Sequence, residues 1–91
     1  MKEFGRHEFI RYTLDMVATG KAIQRLRESR NLKVEEVARY LNVSPQSVYN
    51  WEAGRGITLI NIIRLCWLLR ESLDHVVKMK PEMGAFYDYD K

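Results

Sequence analysis

The segment Ser44-Pro-Gln-Ser-Val-Tyr-Asn-Trp-Glu-Ala-Gly54 gathers side-chain amides and hydroxyls where a surface stretch ordinarily carries lysine and glutamate. Gln46 and Asn50 each set a carbonyl acceptor beside an NH2 donor, so either can grip a complementary edge with two parallel hydrogen bonds. That is recognition chemistry, not bond-breaking chemistry. Elsewhere no nucleophile stands with a base, no carboxylates are paired and no glycine-rich phosphate loop occurs, so the chain does not read as an enzyme. His7 and His75 lack a second ligand at metal spacing, and neither a metal nor a cofactor is expected. The single cysteine, Cys66, cannot form an internal disulfide. It falls in an apolar run and reads as a core residue.

Ninety-one residues, 46% hydrophobic and 30% charged, are enough for one small globular domain. No apolar run approaches the roughly 18 residues of a membrane span. The stretch Met1–Phe9 lacks the apolar segment of a secretory signal, so a cytoplasmic location with no membrane partner is expected. The net charge is +3, and its excess lies mid-chain, where residues 19–78 hold ten basic and six acidic side chains. This distribution suits an anionic partner.

Five short helices account for residues 19–78. The first is expected to be capped by Thr19, with Ile23, Leu26 and Arg30 on one side, and to stop at Asn31. The second carries Val34, Val37, Ala38 and Leu41 at helical spacing, with Glu35 and Glu36 in the first turn, where the helix dipole favours them. Ser44 caps the third, and Pro45 fits its first position because no N–H is needed there. After the loop Gly54–Gly56, Thr58 caps a fourth helix whose core stripe reads as Leu59, Ile62, Ile63, Cys66 and Leu69. Ser72 caps a short fifth with Leu73, Val76 and Val77. Arg25, Arg39 and Arg64 read as solvated helix faces. Residues 1–18 form an N-terminal arm, and the alternation of Ile10, Tyr12, Leu14 and Met16 suggests a strand within it. Residues 79–91 form an acidic, aromatic C-terminal tail.

Two helices joined by the tight turn Asn42-Val43 have helix-turn-helix spacing. Ala38 is small where the helices must approach, and Val43 and Val48 pack the turn and third helix on the second. The outer face of the third helix then projects from the domain, where it can enter a DNA major groove and set Gln46 and Asn50 against base edges.

The blocks Ile23-x-x-Leu26-Arg27, Leu32-x-x-Glu35-Glu36-Val37-Ala38, Leu41-x-Val43-Ser44 and Val48-x-x-Trp51-Glu52-x-Gly54, closed by Leu69-x-x-Ser72-Leu73-Asp74, resemble the Cro/repressor-type helix-turn-helix family. The resemblance implies an all-α, compact five-helix lambda-repressor-like domain that binds double-stranded DNA and regulates transcription. It places base contacts at Pro45, Gln46 and Asn50, with Ser47 beside them. It places phosphate contacts at Ser44, Tyr49 and Arg55 and an inter-helix ion pair at Arg27 and Glu52, while Lys33 is a phosphate-contact candidate that compensates for Val34. The chain departs from the family at Lys33, which replaces the usual Ser/Thr cap, at Val34, which replaces a glutamine, and at Pro45, which carries no polar group. A shorter loop from Gly54 to Thr58 lacks the usual proline.

Ile60 and Trp67 lie seven residues apart on one side of the fourth helix, at positions the family fills with polar residues. Such apolar area marks a partner surface or a cover. A second copy of the chain is the expected occupant, because a two-fold dimer matches paired DNA half-sites. The flanks, through Phe9, Tyr12, Phe86 or Tyr87, could cover it instead. An alternative function is an antitoxin-like or anti-repressor interaction module, with a protein partner bound by the tail and the Ile60/Trp67 face.

Overall fold

The computed structural model describes residues 11–82. Ile10 and the tail aromatics Phe86 and Tyr87 lie outside the described residues, as do Phe9 and His7. The elements run β1 (Tyr12–Leu14), α1 (Met16–Ser29), α2 (Val34–Leu41), α3 (Pro45–Glu52), α4 (Leu59–Leu69), α5 (Leu73–Val76) and β2 (Met79–Pro81).

The first helix starts earlier than the sequence suggests. Asp15, not Thr19, is its N-cap, accepting the Ala18 N–H at 3.0 Å. Thr19 is fully buried, and its hydroxyl accepts the Lys78 N–H at 2.9 Å. A residue expected to start the helix instead ties it to the far end of the chain. There β1 and β2 pair antiparallel, with Tyr12 opposite Pro81, Thr13 opposite Lys80 and Leu14 opposite Met79. Asp15 N–H donates to Lys78 O and Glu82 N–H to Arg11 O, each at 2.7 Å, closing the strap at both ends. Arg11 and Glu82 add an exposed ion pair, which solvent makes a minor contributor.

The helix-turn-helix unit forms from local rules. All four apolar positions of α2 expected inside, Val34, Val37, Ala38 and Leu41, are buried. Asn42 takes the left-handed conformation at φ 57°, which an asparagine tolerates, and the Val43 N–H returns to Ala38 O at 3.0 Å. Ser44 Oγ accepts the Ser47 N–H at 3.1 Å, and Pro45 takes the first position of α3. A cap of this kind stabilises a helix by about 1 kcal/mol. The start of α2 is held differently. The Lys33 side chain has no acceptor to offer, but Glu36 reaches back to the Lys33 N–H at 2.8 Å, which makes half of a capping box.

The buried stripe of α4 is Ile62, Leu65, Cys66 and Leu69, rotated from the one read in the sequence. Leu59 is 63% exposed and Ile63 lies at the surface, while Leu65 is fully buried. Nearly every position of α4 is apolar, so periodicity alone does not fix which side faces inward; packing against α1, α2 and α5 does. Arg64 departs from its expected solvated setting. It is half-buried and donates to Leu41 O at the end of α2. The core gathers Ile23, Val37, Val48, Trp51, Ile57 and Val76 around the α4 stripe. Burial raises the Cys66 thiol above its ordinary pKa, aided by the charge of Glu71, consistent with a packing role.

Candidate nucleic-acid interface

The third helix is fixed from behind before its front can read anything. Val48 is fully buried and Trp51 nearly so. Arg27 donates to Glu52 in a fork, Nε to Oε2 at 2.7 Å and Nη2 to Oε1 at 3.1 Å, and its Nη1 donates to Leu32 O at 2.8 Å. The hydrogen bond to Glu52 raises the Arg27 pKa further, against the cost of burial. One side chain thus ties α1, the start of the α2 loop and the end of α3.

Gly20 brings α1 against α3 more closely still. A Cβ at that position would run into the backbone carbonyl oxygens of Trp51 and Glu52, the latter at 2.6 Å. The only trace of this contact in the sequence is a glycine inside a helix, which is costly and signals a close approach.

The outward side of α3 presents Pro45, Gln46 and Tyr49 exposed, with Ser47 and Asn50 half-exposed. The residues assigned to DNA from sequence fall into separate groups. Ser44 and Ser47 share the helix start, their hydroxyls 3.0 Å apart. Gln46, Asn50 and Arg55 form one hydrogen-bonded set, with Gln46 Nε2 donating to Asn50 Oδ1 at 3.0 Å and Arg55 Nη2 donating to the same oxygen at 3.1 Å. Gly54, at φ 85°, turns the chain so that the Arg55 N–H reaches Asn50 O at 2.8 Å. Tyr49 leans the other way, its hydroxyl 3.5 Å from Glu35 on α2. Lys33 is exposed at the start of α2.

The second surface is on α4 and α5. Ile60 is 61% and Trp67 78% exposed, joined by Leu59, Ile63 and Leu73. Beside Trp67 runs an open groove of about 600 Å³, lined by Ile63, Cys66, Trp67, Arg70, Glu71 and Leu73. Glu71 at its edge receives Arg30 Nη2 at 3.0 Å and pairs with His75 Nδ1. The hydrogen bond to Glu71 raises His75 above the ordinary 6.5, and that to His75 lowers Glu71 below the ordinary 4.5. The protonated His75 therefore stabilises the fold fully below its ordinary pKa, and the contribution is lost as pH rises through the raised value. Glu71 contributes above its ordinary pKa and loses that as pH falls through the lowered value. His75→Ala should lower the melting temperature near about pH 6 and leave it unchanged near about pH 9. Thermal unfolding of both proteins at the two pH values checks this, and an equal loss at both would rule out the ion pair as the cause.

Among the described residues, no helix is long and apolar enough to cross a membrane, and no group of three or more His, Cys, Asp or Glu side chains could hold a metal ion.

A projecting α3 on an α2–turn–α3 frame, with five helices around one core, defines a helix-turn-helix protein. The helix-turn-helix family model matches residues 23–76, and the chain belongs to this Cro/repressor-type family of DNA-binding transcription regulators. Among solved structures, the chain resembles the restriction-modification controller protein C.AhdI from Aeromonas hydrophila, with a TM-score of 0.64 and 27% identity over 68% of this chain and 96% of that one. Apo HppE and Fe(II)-HppE with the alternative substrate (S)-1-HPP give TM-scores of 0.65 at 23% identity over 69% of this chain. The match spans only 36% and 33% of those two chains, and the likeness is one of fold alone. The comparison with curated proteins gives no match.

Proposed function

We propose that the protein is a prokaryotic, cytoplasmic transcription regulator that binds double-stranded DNA sequence-specifically as a homodimer and performs no catalysis. The observation that carries this reading is a rigidly backed α3 whose outer face bears two amides and no charge. In a major groove, Gln46 and Asn50 meet base edges, with Ser47 beside them and Pro45 limited to apolar contact. Ser44, Tyr49, Arg55 and Lys33 face phosphates, together with the Gln46 N–H, which is left free by the Pro45 start and the Ser44 cap of α3. The Ile60/Trp67 face joins the two copies, placing their α3 helices about one helical turn of DNA apart. The likeness to C.AhdI, a restriction-modification controller protein, favours a regulatory role.

Selection from random duplex DNA at two salt concentrations tests the reading. The expected result is an enriched palindrome whose affinity falls steeply with salt. Asn50→Ala should weaken the palindrome by about 1–3 kcal/mol while leaving random duplex nearly unchanged. Equal loss on both would remove Asn50 from base reading, and no enrichment at either salt would remove the function.

A further inference from the structure

Asn50 Oδ1 takes hydrogen bonds from both Gln46 and Arg55. The orientation of both amides follows from donor chemistry. A guanidinium has five N–H donors and no acceptor, so the Asn50 atom facing Arg55 is its oxygen. An oxygen cannot donate, so the Gln46 atom facing it is the nitrogen. Gln46 is thereby left with a carbonyl oxygen and one N–H for a ligand, while Asn50 is left with N–H donors alone.

These two remainders differ in what they recognise. The Gln46 pair complements adenine, whose N6–H2 donates and whose N7 accepts. An amide turned the other way would set its donors toward the O6 and N7 acceptors of guanine. A glutamine free to rotate discriminates poorly between the two, whereas one held in place does not have to be ordered on binding.

We propose that Arg55 is a specificity-determining positioning residue, which donates to Asn50 Oδ1 and through it fixes the Gln46 amide in the orientation that reads adenine. Its other N–H groups remain available to a phosphate, so one side chain couples the grip on the backbone to the reading of a base. Asn50 is the hub of this coupling, and its remaining donors suit an acceptor such as a purine N7. The proposal rests on α3 lying in the major groove.

The test compares wild type, Arg55→Ala, Gln46→Ala and the double variant on three probes. These are the duplex selected by the wild type, the same duplex with guanine at the adenine position where Gln46→Ala loses its preference, and random duplex. Both substituted side chains are exposed, and circular dichroism verifies that each variant is folded. Wild type should prefer adenine over guanine by about 10-fold. Arg55→Ala should weaken all three duplexes and, in addition, erase most of that preference. In the Gln46→Ala background, removing Arg55 should weaken the adenine and guanine duplexes equally. In the protein that retains Gln46, Arg55→Ala weakening the adenine and guanine duplexes by the same factor would overturn the proposal and leave Arg55 a phosphate contact. So would a Gln46→Ala protein that keeps every base preference. A wild type without a preferred duplex would instead overturn the DNA-reading function itself, and the proposal with it.

Discussion

Replacing Glu52 with leucine is expected to cost about 3–5 kcal/mol of folding stability, several times the loss from an exposed ion pair. The Glu52 and Arg27 side chains are only 7% and 12% exposed. Without the carboxylate, the Arg27 guanidinium stays in that setting with Leu32 O as its hydrogen-bond acceptor and the exposed Glu28 carboxylate 3.8 Å away as a weaker, solvent-screened partner. The double variant Arg27→Met, Glu52→Leu should recover most of the loss, because it removes the stranded charge together with its partner. Urea unfolding of the three proteins decides it. A single-variant loss under about 1 kcal/mol would put this pair in the class of surface bridges, and failure of the second substitution to recover stability would show that the cost lies in packing.

The second large effect has the opposite sign from the usual rule. In an ordinary helix interior, glycine to alanine gains about 1 kcal/mol. Gly20→Ala in α1 should instead destabilise by about 1–3 kcal/mol, because the new methyl group meets backbone oxygens of α3 and not a side chain that can swing aside. Relief requires α3 to move away from α1, so affinity for a selected duplex should fall even where the protein remains folded. A melting temperature above that of the parent would refute the close approach.

Both effects concern how α3 is held, and the sequence revealed one more readily than the other. Arg27 and Glu52 sat in family-like blocks and suggested a pair. Gly20 carried only the weak signal of a glycine inside a helix, and its partner atoms are backbone carbonyls that any residue would supply. The helix-turn-helix core was legible for a different reason: the period of Val34, Val37, Ala38 and Leu41 and the Ser44-Pro45 start are short-range patterns. In α4 the apolar residues encircle the helix, so the pattern has no phase: it does not single out the buried Leu65, and it does not distinguish it from the surface residues Leu59 and Ile63. The start of α1 differs from the Thr19 cap expected from sequence because Asp15, four residues earlier, is an equally good cap-forming type and residue type alone does not choose between them. Strand β2 gave no signal, since Met-Lys-Pro lacks alternation and Pro81 cannot donate to a ladder. Gln46 and Asn50 at i, i+4 are neighbours on any helix. The return of Arg55 onto Asn50 depends on the left-handed turn at Gly54 and became visible only with the fold.

The short strap of β1 and β2 makes Arg11 and Glu82 immediate neighbours, the backbone of one bonded to the other at 2.7 Å. Topologically, the helical body is then a loop hung from a single stem. Arg11 and Glu82, 71 positions apart in sequence, therefore leave the helical body side by side, so that a pull applied between these two residues loads the strap before it reaches the helices.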